Sequence, residues 1–350
     1  MRSALLGLVC LLASVLCVRA QADDPLPSDV SFNLKRSFLE DLMTGGPNDR
    51  TVGARLKVSL KLGDHSAVHD LGSDCELHVA GRFPNGRIIG NPAGVVVEPP
   101  NVCKARLPQI PQNGSIKTAW SGYFDGNVTG KTCEVTGFPR IFTEHSSGGE
   151  AGSSNPDLVV EIHPTVGLDC GGGNLDFLSL LKAYSGMRQI SAKSTVACLD
   201  ERQLFVRQRG SGSSIRYEFL EKGAKGQNGT CGNFVVVDAH IGKEYLRALS
   251  NGGDHVALAQ VWVGDSGSFP LKVYTYKGTP EDDKIAQLMA DPDETKTLEM
   301  QLHGLFTYDY FTIVQTVQDS SWHWLSASDL HDYKEIPRPL SLVVFGEAGE

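Results

Sequence analysis

Short stretches in which apolar and polar residues alternate recur along most of this chain, and they limit its fold more than any other feature. Over residues 52–62 the apolar positions are Val52, Ala54, Leu56, Val58, Leu60 and Leu62, the period-two pattern of a half-buried strand. Further segments of strand character lie at 74–83, 94–98, 132–144 and 157–168. The run at 94–98 is closed by Pro99-Pro100, and the run at 132–144 carries a bend signal from Gly137 to Pro139. Two insertions, 104–131 and 146–156, separate them, the second being a surface loop by composition. After Gly171-Gly172-Gly173, read as a domain boundary, strands are expected again at 203–209, 214–220, 233–241, 254–263, 269–277 and 299–317.

Helical signals are few. Leu34, Phe38 and Leu42 stand at i, i+4 and i+8, which predicts a short helix in the leader 23–50, stopped by Gly45-Gly46-Pro47. A second helix is expected over 174–184, with Asn174 as its cap. The clearest begins at Thr279-Pro280-Glu281, shows Ile285, Leu288 and Met289 on one face, and ends near Asp291-Pro292. The fold class that follows is mainly β with minor α. Five β segments suit a small closed barrel of the oligonucleotide/oligosaccharide-binding (OB) type over 51–170. A second β-rich, α+β domain is expected over 174–317, and the tail 318–350 has no assignment. The run Cys133-Glu134-Val135-Thr136-Gly137 faintly echoes Met300-Gln301-Leu302-His303-Gly304, as two related β domains or chance would have it.

The N-terminus predicts export. Arg2 precedes an apolar run over 4–18, and Ala20-Gln21-Ala22 is a small-x-small cleavage pattern, so residues 1–22 read as a signal peptide. The run falls short of the roughly 20 residues that span a bilayer, and no later segment is apolar enough. Cys75, Cys103, Cys133, Cys170, Cys198 and Cys231 lie beyond it, an even number that favours disulfides in an exported chain without fixing their pairing. No C-x-x-C pair supports a zinc ribbon or a thioredoxin-type site. Asn113, Asn127 and Asn228 head glycosylation sequons in segments that read as surface loops. The formal charge of −9 argues against a partner held by phosphate neutralisation, so nucleic acid is not expected. No G-x-S-x-G elbow and no phosphate loop is present. Phe306, Tyr308 and Tyr310 alternate as a core ladder would, or, less well, as a sugar-stacking platform; Trp322, His323 and Trp324 suit a stacking surface or a core edge equally.

The chemistry concentrates in the first five segments. On a strand, residues i, i+2 and i+4 share a face, so Asp74, Glu76 and His78 point one way and Leu77 and Val79 the other. Glu161 and His163 likewise share a face. Barrel neighbours would gather these with Glu98 on one outer surface, which Arg140, Glu144 and His145 could join at its edge. The runs Asp74-Cys75-Glu76-Leu77-His78, Glu98-Pro99 and Glu161-Ile162-His163-Pro164 resemble those of a largely uncharacterised group of exported, mostly bacterial OB-like barrel proteins. That group shows a D-x-D-x-H strand, an E-x-P strand and an E-L-H-P strand. The resemblance covers roughly 51–170 and implies fold and export but no activity; this chain has Cys75 and Glu76 where the common form reads Gly-Asp.

Three readings of the stripe stand side by side. It can be the polar outer face of a half-exposed sheet, with cross-strand His–carboxylate pairs. It can bind a divalent metal, with Asp74, Glu76, His78, Glu161 and His163 as ligands by type, although no tight spacing such as H-x-H supports this. Or it can catalyse hydrolysis, with His78, Glu98, Glu161 or His163 in acid–base roles and Arg140 steadying an anionic transition state. The function expected is binding of a small molecule, glycan or protein through this face. A metal-dependent hydrolase of phosphodiesterase type and a structural, envelope-associated protein are the alternatives.

Overall fold

The computed structural model describes residues 30–35, 55–68, 76–83, 94–100, 102, 106–141, 160–181, 203–222, 235–243, 246–249, 254–262, 267–309, 334–336 and 340–347. The expectations for residues 1–22, Asp74, Glu144, His145, Asn228, Trp322 to Trp324, and for Cys75, Cys103, Cys198 and Cys231, lie outside them.

Strand β1 (Val30–Lys35) opens the described chain, where a helix through Leu34 was expected. Its sequence also alternates, with Val30, Phe32 and Leu34 in step, and a strand far along the chain takes it up as an edge of its sheet. Long-range pairing decides between the two periodicities here. The first barrel comprises β2 (Leu56–His65), β3 (Val79–Arg82), β4 (Gly94–Val97), β5 (Thr132–Ile141) and β6 (Val160–Asp169). β2 pairs antiparallel with β3 and β5, β3 with β4, and β5 with β6. β4 and β6 close the ring in parallel, Val96 opposite Glu161 and Val97 opposite Ile162. The circular order β2-β3-β4-β6-β5 is a five-stranded Greek-key barrel of the expected type. Leu60, Val79, Val97, Val135 and Ile162 are among its buried apolar residues.

Helix α1 (Ile116–Asn127) lies in the insertion between β4 and β5, which the sequence shows only as a gap. Ser115 caps it by accepting from the Thr118 backbone N–H, and Trp120 and Phe124 are buried beneath it. Gly122, Gly126 and Thr118 dilute its helical pattern and hid it. Asn127 therefore ends a helix rather than sitting in a loop, and Asn113 is exposed ahead of it. After β6 the chain does not leave the sheet. β7 (Asn174–Asp176) pairs back onto β6, and the helix expected over 174–184 is confined, among described residues, to the single turn α2 (Leu178–Leu181). A disulfide between Cys133 and Cys170 ties the start of β5 to the residue following β6.

β8 (Gln203–Arg209) and β9 (Arg216–Lys222) form a hairpin between the barrels. With β1 on one edge and β15 (Lys334–Ile336) on the other they make a four-stranded sheet. The second barrel comprises β10 (Val235–Gly242), β12 (His255–Trp262), β13 (Ser268–Thr275), β14 (Thr297–Tyr308) and β16 (Leu340–Glu347), with the two-residue β11 (Arg247–Ala248) on its edge. Its circular order, β10-β12-β13-β16-β14, repeats that of the first, down to the parallel closure between β13 and β16. Helix α3 (Pro280–Ala290) occupies the place of α1, and the Thr279 side chain caps it by accepting from the Asp282 N–H. The tail thus supplies a barrel strand, so the second domain runs past 317 to at least Glu347.

The two barrels share a register. Gly137 on β5 lies opposite Leu56, and Gly304 on β14 lies opposite Val235, each the first residue of its barrel. The echo between residues 133–137 and 300–304 therefore falls on equivalent strands at equivalent positions. The barrels also touch. Arg55 donates two hydrogen bonds to Asp254, at 2.9 and 2.6 Å, and its guanidinium lies over the Tyr276 ring. Phe138 packs against Tyr274 and Tyr276. Phe306 and Tyr308 are fully buried, as the core reading of those two positions expects, and Tyr310 lies outside the described residues. No helix among the described residues is long and apolar enough to cross a membrane.

Candidate functional site

The strands of the first barrel gather the polar stripe as the strand faces require. Glu76 and His78 lead into β3, Glu98 follows β4, Arg140 lies near the end of β5, and Glu161 and His163 lie on β6. Leu77, Val79, Val97 and Ile162, their sequence neighbours, are buried apolar residues. All six polar side chains come together. They are not, however, on a half-exposed face: their exposures are 1% for Glu76, 4% for His78, 1% for Glu98 and zero for Arg140, Glu161 and His163. The second barrel supplies cover. Phe345 of β16 places its ring 5.8 Å from that of His163, and Arg140 Nε donates to the Phe306 carbonyl at 2.7 Å. The solvated-sheet reading is corrected accordingly.

His163 is the hub. Its Nε2 lies 2.6 Å from Glu76 Oε1, and its Nδ1 lies 2.7 Å from Glu98 Oε2. A carboxylate thus faces each ring nitrogen, and Glu161 Oε2 stands 3.6 Å from Nδ1. Arg140 Nη1 donates to the same Glu161 oxygen at 2.6 Å. His78 Nε2 is 3.6 Å from Glu98 and 4.0 Å from Glu76. Burial works to strip the His163 proton, but the charges of Glu76 and Glu98 and the hydrogen bonds to Glu161 and Glu76 outweigh it. The imidazole pKa stands well above its ordinary value. His163 is therefore an imidazolium clamped between carboxylates. Three carboxylates face two fixed cations, with His78 at the edge.

This arrangement can do two things chemically. As a set of charge-assisted hydrogen bonds it locks four strand positions of one barrel against the next. As a ligand set, Glu76, Glu98 and His163 bring one donor atom each within 4.8 Å of one another, the approach a divalent cation needs. The fit is partial. Donors sharing one zinc ion at about 2.0–2.2 Å stand roughly 3.3 Å apart in a tetrahedron. The His163 contacts, at 2.6 and 2.7 Å, are hydrogen-bonding distances, so an ion would have to replace the ring proton and widen the pair.

Sequence reasoning named these six residues but not the partners that enclose them. Phe345 and Phe306 carry no polar signal, and they reach the cluster across long stretches of chain, 166 positions between Arg140 and Phe306. The Arg55–Asp254 pair spans 199 positions, with nothing local to suggest it. A second buried polar cluster also went unseen: His255 Nδ1 lies 2.8 Å from Asp282 on α3, and Thr275 donates to the same carboxylate. In comparisons with known proteins, the chain matches no protein-family model, no curated protein and no solved structure.

Proposed function

We propose that the chain is an exported, non-catalytic binding protein, and that its His/carboxylate cluster is the ionic joint on which the second barrel rests. The observation that carries this reading is the enclosure of six mutually engaged polar side chains, none more than 4% exposed, beneath Phe345 and beside Phe306. A substrate or a ligand needs a path to the groups that meet it, and charged groups this deep act on one another instead, so any binding surface of the chain lies elsewhere than the face expected from the sequence. The apolar leader, the resemblance to exported barrel proteins and the Cys133–Cys170 disulfide support an oxidising, extracytoplasmic setting.

A second reading is a buried divalent cation held by Glu76, Glu98 and His163, favoured by the mutual approach of their donor atoms. Elemental mass spectrometry and thermal unfolding of the purified protein and of a His78→Ala/His163→Ala variant test both. The joint predicts no stoichiometric metal and a lower melting temperature in the variant, with the barrels unfolding in separate transitions. One equivalent of metal, lost in the variant, would replace the joint by a metal centre. A variant that melts like the parent would sink both readings.

A further inference from the structure

The second barrel repeats the first in strand order, yet its outer face is built differently. On β12 the outward positions are Leu258, Gln260 and Trp262, alternating with the buried Ala257, Ala259 and Val261. Trp262 is 38% exposed, one of two large apolar side chains in the described residues left so open. Its cross-strand neighbours are Asp238 on β10 and Ser268 on β13. Each is oriented by an amide: Gln301 Nε2 donates to Asp238 Oδ1 at 3.0 Å, and Gln260 Nε2 donates to the Ser268 hydroxyl at 2.8 Å. The indole thus has a hydrogen-bonded polar group on each neighbouring strand. Along the same face, beside Gln260, opens a groove of about 360 Å³ lined by Leu258, Pro270, His240, Thr295 and Thr297 among others.

We propose that this face binds a neutral oligosaccharide, with one pyranose ring stacked on Trp262 and the next lying in the groove past Gln260. A sugar ring offers a C–H face to an aromatic plane and hydroxyls around its rim. The rim is met here by a carboxylate, two amides and a hydroxyl already fixed by one another, which lowers the ordering cost of binding. Trp262 and Gln260 are two residues apart on one strand, about 7 Å, so a ligand using both is at least a disaccharide. The charges select against anionic sugars. Asp238 flanks the indole and Glu299 lies 3.7 Å from His240, while the lysines of the groove, Lys243 and Lys296, are engaged by Glu294 and Asp291. The inference rests on the reading of the chain as a binding protein and is independent of the ionic joint.

The test uses the full mature protein on an array of neutral and anionic glycans, followed by calorimetric titration with cellotetraose, chitotetraose, mannotetraose and a heparin tetrasaccharide. The expected result is saturable binding of a neutral oligosaccharide. Trp262→Ala should lower affinity at least tenfold, Trp262→Tyr should keep most of it, and Gln301→Ala should lower it several-fold. Melting temperatures of all three should match the parent, because these side chains lie at the surface. Failure of every neutral glycan to bind, tighter binding of heparin, or neutral-glycan binding unchanged in Trp262→Ala would each overturn the assignment. Because the His78→Ala/His163→Ala variant reports on the joint through stability, failure of one idea is separable from failure of the other.

Discussion

At the scale of single residues, Arg140 is the most informative position in the chain. It is fully buried, and its guanidinium holds two groups that belong to different barrels: the Glu161 carboxylate and the Phe306 carbonyl. Removing one partner of such a pair leaves a charge in a medium that cannot solvate it, which costs about 3–5 kcal/mol. Arg140→Met should therefore destabilise by that amount in urea unfolding. Replacing both charges, as Arg140→Met/Glu161→Leu, should recover part of the loss, leaving the Phe306 carbonyl without its donor at about 1–2 kcal/mol and His163 without the Glu161 carboxylate. A double variant as unstable as the single one would show that the pair contributes through something other than charge compensation. The sequence made the polar partners visible, because Glu76 and His78, just ahead of β3, and Glu161 and His163, on β6, stand at i, i+2 spacing in runs of strand character. It could not show their burial. Periodicity assigns a side chain to a face, but whether that face meets water depends on a second barrel whose covering residue, Phe345, looks like any core aromatic.

At the scale of elements, the repeated strand pair β5 and β14 ties the two barrels to one design. In each, the register of pairing shifts at a glycine, Gly137 in one and Gly304 in the other. A Cβ on Gly137 would run into the Ile162 side chain and the Pro164 carbonyl, and one on Gly304 into the Val343 carbonyl, far inside van der Waals contact. Both glycines let the fifth strand of the barrel cross close to the fourth. Gly137→Ala and Gly304→Ala should each cost about 3 kcal/mol or more, above the usual range for one added methyl group, since backbone rather than a flexible side chain must yield. Gly126 on α1 makes the contrasting case, with nothing within 4 Å of its would-be Cβ. Gly126→Ala should stabilise by about 0.5–1 kcal/mol. Chemical denaturation of the three variants decides the matter, and a mild effect at Gly304 would remove the structural equivalence. Most strands of both barrels were legible because their apolar patterns are local signals, but β16 was not, since it lies in the tail that carried no assignment. The helix α1 was not, since its glycines and threonine mask a stripe that Trp120 and Phe124 fix by packing. Residues 30–35 misled because Leu34 fits two periods at once and only β9, far along the chain, chooses; Phe38 and Leu42 lie outside the described residues.

At the scale of the whole molecule, two buried histidines set opposite limits on the pH range in which the pair of barrels holds together. His303 on β14 is pushed down to a pKa of about 4 by burial, which favours its neutral form. The unfolded chain, titrating near 6.5, takes up that proton first. The stability His303 contributes is thus present above about pH 6.5 and lost as pH falls from there towards 4, up to about 3 kcal/mol. His163 has the reverse sign. Its folded pKa is raised by Glu76 and Glu98, so its contribution is complete below about pH 6.5 and is lost as pH rises through the folded value. The two effects leave a stability maximum around neutral pH with independent limbs. Urea midpoints measured from pH 4 to 10 should trace that dome. His303→Gln should flatten its acid limb while leaving the alkaline one, and His163→Gln should lower the whole curve and flatten the alkaline side. If His163→Gln left the alkaline slope intact, the imidazolium would not be the charge that binds the carboxylates of the first barrel beneath the second. The ionic joint would then have to rest on Arg140.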